Sequence, residues 1–171
     1  MSTISSPIRI FGIGSPFGDD RLGWEVVAHL SHHPLLKNQD PLLWHASTCD
    51  RPGLHLLNSI EGATTVFLID AIYSVQHVAG SMWHASAEEV LNQEDGSDAL
   101  FSSHDLGVLQ ALELGHVLGL LPSCLRIFGI VTDKQDKWAT VLSGRVAQAL
   151  PGLVNMLAEE IHQAILGLER L

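Results

Sequence analysis

The stretch Ile8–Gly23, IRIFGIGSPFGDDRLG, decides how this chain is read. Its opening run is short and apolar, as a strand buried on both faces reads, and Leu22, Val26, Val27 and Leu30 then follow at helical spacing. Strand, glycine-rich turn and helix in that order are the first unit of an α/β fold. The glycines suggest a phosphate-wrapping loop, but Gly12, Gly14 and Gly18 miss the G-x-G-x-x-G fingerprint because Phe17 stands at its third glycine position. Asp19 and Asp20 would also repel a pyrophosphate. An acidic pair in that place suits a cation.

A near copy of the first strand, LRIFGI at Leu125–Ile130 against IRIFGI at Ile8–Ile13, marks a second buried strand, and nothing around it extends the likeness into a repeat. Between the two, Pro41–Ala46, Thr64–Ala71 and the shorter Gly80–Ala85 read as further strands. Helical spacing recurs at Leu54, Leu57 and Ile60 and over about Leu106–Leu118. It returns from Leu153 to Leu168, with Pro151 suited to that helix's start after a turn of helix at SGRVAQAL, Ser143–Leu150. The polar segment Ser86–Asp98 reads as a mobile surface loop with one helical turn. The expected architecture is a three-layer α/β sandwich: a mixed, mostly parallel sheet of about five strands with helices on both faces. Only nine residues separate Asp70 from Gly80, too few for a parallel crossover, so the Gly80–Ala85 strand should run antiparallel to the one before it.

Size and charge narrow the function. A chain of 171 residues with 46% hydrophobic and 16% charged residues buries one substantial core, and a single domain over 1–171 is expected. A net charge of -10 makes nucleic acid a poor partner, because such binding needs clustered cations. No segment reads as a membrane span or a targeting signal, and the expectation is a cytoplasmic protein with Cys49 and Cys124 reduced.

In open α/β sheets ligands gather beyond the carboxyl ends of the strands. Asp20 lies in the loop after the first strand, Asp70 ends the third, and His104 opens a helix expected to begin at the same edge. Two carboxylates and an imidazole have the composition of an incomplete divalent-metal site with open positions for substrate or water. Each also has an ordinary reading: an aspartate capping the helix near Leu22, Asp70 starting a turn, His104 at a helix start capped by Ser103 or Asp105. Competing chemistry is weaker. There is no G-x-S-x-G elbow, no G-x-x-x-x-G-K-(S/T) loop and no H-E-x-x-H helix. His45 and Cys49 lack a third orienting group, and His29 and His33 suit the end of a helix before Pro34.

Together these residues resemble the maturation endopeptidases of nickel–iron hydrogenases. Members open with a strand and a G-x-G-N-x-x-x-x-D-(D/E)-x-x-G loop, or a version one residue shorter, continue with a strand ending D-A, and later show S-H opening a helix. The counterparts here are GIGSPFGDDRLG, VFLIDAI followed by GSM, and SSHDLGVLQAL. The resemblance implies an aspartic-type endopeptidase that removes a C-terminal tail from a nickel-loaded hydrogenase large-subunit precursor. Nickel arrives with the substrate, no organic cofactor is involved, and Asp20, Asp70 and His104 are the metal-contacting and catalytic set. Two departures stand out: Ser15 replaces the asparagine of the loop, and Ala46, Ser47 and Thr48 stand where many members carry Gly-Gly-Thr after the second strand. Two rival readings are a non-enzymatic nickel-binding accessory protein, suggested by the ten histidines, and a peptidyl-tRNA hydrolase-like enzyme, which shares a G-x-G-N-P-type loop. The acidic charge argues against the second.

Overall fold

A computed structural model describes residues 6–74, 76–92, 106–133 and 139–170. Five strands, β1 (Ile8–Gly14), β2 (Trp44–Asp50), β3 (Thr65–Tyr73), β4 (Met82–Ser86) and β5 (Cys124–Thr132), form one sheet in the order β2-β1-β3-β5-β4. All neighbours are parallel except β4, which runs antiparallel to β5. The strand after β3 thus has the expected direction. Its partner is β5, because β3 is already paired on both edges, by β1 and β5, and β5 offers the nearer free edge.

Helices cover both faces, as expected of an α/β sandwich. On one side α1 (Leu22–Leu30) and α5 (Gly144–Leu168) enclose a core built on Ile8, Ile10, Phe67, Ile69, Phe128 and Ile130. On the other, α2 (His55–Ile60), α3 (Ala87–Leu91) and α4 (Leu106–Leu118) enclose Phe11, Ile13, Val66, Leu68, Leu125 and Ile127. The strands alternate between these cores along their length, which explains why they read as continuous apolar runs. Among the described residues, no helix is long and apolar enough to cross a membrane.

Several boundaries differ from the sequence reading. β2 begins at Trp44 and runs on to Asp50, through polar residues on a half-exposed edge strand where apolar patterning fades. The last helix begins at Gly144, with Pro151 inside it. Buried Val146 and Leu150 continue the same apolar stripe backward from Leu153. Pro151 lies on the solvent side, and the carbonyl it leaves without a helical donor belongs to exposed Ala147. The segment beginning at Ser86 does contain the expected helical turn, α3. Ser86 and Glu89 form a reciprocal capping box that starts α3. Residues 93–98 of that segment lie outside the described residues.

Candidate active site

The chain leaves β1 toward β2 by way of α1 on one face, and leaves β3 toward β4 and α3 on the other. Between β1 and β3 the connections diverge, which is where an open α/β sheet forms its ligand crevice. Pairing of these strands reaches Gly12 and Ile69, so Asp70 is the first residue beyond it. Asp70 does not end the third strand as expected: it pairs with Gly129 of β5, and β3 runs on to Tyr73 along that partner. Strand alternation puts the Asp70 side chain on the same side as Val66 and Leu68, toward α2 and α4. It is buried, at 6% exposure, and its Oδ1 accepts the Ala71 N–H at 2.7 Å.

Asp20 reaches this edge through a tightly folded loop. A short 3-10 turn, Gly18–Arg21, follows β1 and delivers the chain into α1. Gly14 has φ 147°, and a Cβ there would lie 1.8 Å from the Asp20 carbonyl oxygen. Gly23, the second residue of α1, lies against the opening itself, where a Cβ would come within 2.4 Å of the Ile13 oxygen and 2.7 Å of the Ile69 oxygen. No side chain fits between helix and strands. Ser15 then holds the loop closed: its N–H donates to the Asp20 carbonyl at 3.2 Å and its hydroxyl to Asp20 Oδ2 at 3.2 Å. Serine thus fastens the loop at the position where the related motif has asparagine.

The two acids of the pair have different surroundings. Asp19 is 5% exposed and accepts both the Ser143 N–H at 2.6 Å and the Ser143 hydroxyl at 2.9 Å, at the N-cap of α5. Gly18 N–H to Ala139 O at 2.6 Å and Arg21 Nη1 to Thr140 O at 3.0 Å stitch the same two segments together. Asp19 is therefore a clasp between the first loop and the last helix, and half-buried Asp20 is left at the crevice. Asp19 thus serves the start of α5 and not, as the capping expectation for one of the pair had it, the helix beginning at Leu22.

His104 lies outside the described residues. The helix it precedes does begin at this edge: a Cβ on Gly107 would stand 3.1 Å from the Cα of Gly53, in the turn that leaves the carboxyl end of β2. The described residues thus put Asp20 in the loop after β1 and Asp70 where β3 passes beyond β1, and among them no group of three or more His, Cys, Asp or Glu is placed to hold a metal.

Other sequence candidates separate. His45 and Cys49 lie on the same strand four residues apart, roughly 13 Å along β2, too far for a nucleophile and its base. Burial also pushes the Cys49 thiol up, away from the thiolate that nucleophilic attack needs. His33 is tied to Asn155 of α5 at 3.1 Å. Ala46, Ser47 and Thr48 lie inside β2, not after it. The residues that leave the strand are Arg51, Pro52 and Gly53, with Arg51 at φ 45° and Gly53 at φ 49°. Sequence reasoning passed over Arg51 and Ser143. An Arg-Pro-Gly turn at a strand's carboxyl end, and a serine ahead of a helical stripe, were the available signals.

A model of the hydrogenase maturation protease family matches residues 51–160, more than half of the chain and inclusive of Asp70 and His104. Comparison with curated protein sequences gives no match. Among solved structures the chain is similar to the hydrogenase maturating endopeptidase HybD from E. coli, with TM-score 0.76, 19% identity, and 92% of this chain and 93% of that one covered. It is also similar to the [NiFe] hydrogenase maturation protease HybD from Thermococcus kodakarensis, with TM-score 0.69, 22% identity, and coverage of 90% and 98%. The HycI protease from Thermococcus kodakarensis KOD1 gives TM-score 0.62, 19% identity, and coverage of 92% and 93%. At these identities the structural likeness establishes the fold.

Proposed function

The chain belongs to the hydrogenase maturation protease family and is a peptidase, and from that premise we propose that it removes the C-terminal tail of a nickel-loaded hydrogenase large-subunit precursor. Nickel enters as part of the substrate. Asp20, Asp70 and His104 engage it, and this contact sets the scissile peptide at the crevice between β1 and β3. The observation that supports the reading is that Asp20, in the loop after β1, and Asp70, the first residue of β3 beyond its pairing with β1, lie on the same side of the sheet's opening.

Carboxylate oxygens and an imidazole nitrogen suit a divalent nickel ion. Nickel held by these residues would supply Lewis-acid chemistry, polarising a carbonyl or acidifying a water, and Asp20 or Asp70 would take up the proton that the attacking water releases. Water adds across the peptide bond, giving a new carboxylate on the large subunit and a free amine on the tail. All three ligands bind metal in their deprotonated forms, so cleavage slows on acidification as protons compete with nickel.

The test is to incubate purified nickel-loaded precursor with the protein and weigh the large subunit. Loss of a C-terminal peptide with the wild-type chain, and none with Asp20→Asn, Asp70→Asn or His104→Ala, is the expected result. An unchanged mass with the wild-type chain, or equal cleavage by the variants, overturns the proposal. Tight stoichiometric nickel binding without cleavage would point instead to an accessory metal carrier.

A further inference from the structure

The turn after β2 contains a backbone oddity that the aspartate site does not explain. Arg51 has φ 45° and is the sole non-glycine residue at positive φ among the described residues. L side chains occupy that region at a cost which glycine avoids, and such strain concentrates at functional sites. An arginine held there calls for a role for its side chain.

Its position supplies one. Asp50, the residue before it, is level with Gly14 in the sheet, and Gly14 abuts the Asp20 carbonyl. Arg51 therefore leaves the sheet at the same edge as the crevice, and its guanidinium is close enough to Asp20 to feel that charge. Its Nε donates to Asp50 Oδ1 at 2.8 Å, and this is its one hydrogen bond among the described residues, so both terminal nitrogens are available as donors. The Asp50 hydrogen bond and charge, with a smaller contribution from the Asp20 charge, push the group above the usual guanidinium range. Among the described residues, Arg21 is bound at both terminal nitrogens, to Glu25 and to the Thr140 carbonyl, whereas Arg51 is not.

We propose that Arg51 is a substrate-positioning residue whose terminal nitrogens hold a main-chain carbonyl of the precursor beside the Asp20 and Asp70 opening. The inference rests on the peptidase reading above. A carbonyl fits better than an acidic side chain, since Asp20 and Asp50 would repel a second negative charge. Asp50 fixes one side of the guanidinium, which limits the freedom lost when the other side takes hold of substrate.

The experiment measures KM and kcat for cleavage of nickel-loaded precursor by wild type, Arg51→Gly and Arg51→Lys, along with melting temperatures. Precursor affinity is measured separately by calorimetry. Arg51→Gly should raise KM and weaken binding about tenfold, the scale of one charged hydrogen bond, with kcat within about twofold. Its melting temperature should rise by about 2–4 °C as the left-handed strain is relieved. Arg51→Lys should recover part of the affinity while keeping the strain. Wild-type KM and affinity in Arg51→Gly would overturn the proposal, as would a lower melting temperature with KM unchanged. If the wild-type chain binds the precursor without cutting it, the peptidase reading fails and calorimetry still decides the role of Arg51. If it neither cuts nor binds, both fall.

Discussion

β1 and β5 carry almost the same hexapeptide, Ile8–Ile13 and Leu125–Ile130, and use it in opposite ways. Through β3, Ile8 is level with Cys124, so the two copies stand one residue out of step in the sheet. Every side chain is consequently turned to the other face. Ile8 and Ile10 pack under α1 and α5, whereas Leu125 and Ile127 pack under α2, α3 and α4. Arg9 is 3% exposed and donates to the carbonyls of Ser6, Ser59 and Glu61, closing the end of α2. Burial lowers its pKa from the usual guanidinium value. Arg126 faces α5, where it pairs with Glu160 at 2.6 Å and lies over the Phe128 ring. Gly12 admits α1, while Gly129 sits beside Asp70. For strands covered on both sides, composition announces burial and register alone decides which core receives each residue.

Matched substitutions break or sharpen this contrast. The largest effect is expected at the glycines. A Cβ at Gly12 would stand 2.1 Å from the Gly23 oxygen and 2.5 Å from its carbonyl carbon, so Gly12→Ala must lift α1 off the sheet. Urea unfolding should show a loss on the order of 4 kcal/mol. At Gly129 the Cβ would meet the Asp70 main-chain oxygen and Ile72 Cγ1, both at 2.4 Å, so one backbone atom must shift where Gly12 displaces two. Gly129→Ala should lose about 2 kcal/mol and, by moving Asp70, slow cleavage. Equal destabilisation by the two would erase the distinction.

The arginines come next. Arg9→Met removes three bonds to carbonyls and should cost about 2 kcal/mol in the same titration. Arg126→Met removes a partly exposed pair and should cost under about 1 kcal/mol. The smallest difference is expected between Ile10→Val and Ile127→Val. Both side chains are buried, at 0% and 1% exposure, so each should lose about 1 kcal/mol whichever core it faces. A gap well beyond that would mean the two cores are packed to different standards.

The strand-and-helix order was legible because buried strands and amphipathic helices imprint strong periodicity, and the short Asp70–Gly80 link forced an antiparallel strand. β2 was read too early because half of it faces solvent and its polar residues carry no such pattern. Pro151 misplaced a helix start, since proline is also tolerated inside a helix where the orphaned carbonyl meets water. Of the site, Asp20 was legible as an acid in the loop after β1, whereas Asp70 was read as ending a strand that runs on to Tyr73 because its last residues pair only with β5. The clasp between Asp19 and Ser143 and the strained Arg51 depend on contacts between distant segments, and local sequence does not encode them.

The Asp19–Ser143 clasp spans 124 residues. During synthesis the acidic loop leaves the ribosome early, yet its fastening partner follows on the order of ten seconds later at ordinary elongation rates. One of the first segments made is thus among the last to take its final shape. A nascent chain lacking α5 would carry the acids of the site without the anchor that sets them in place.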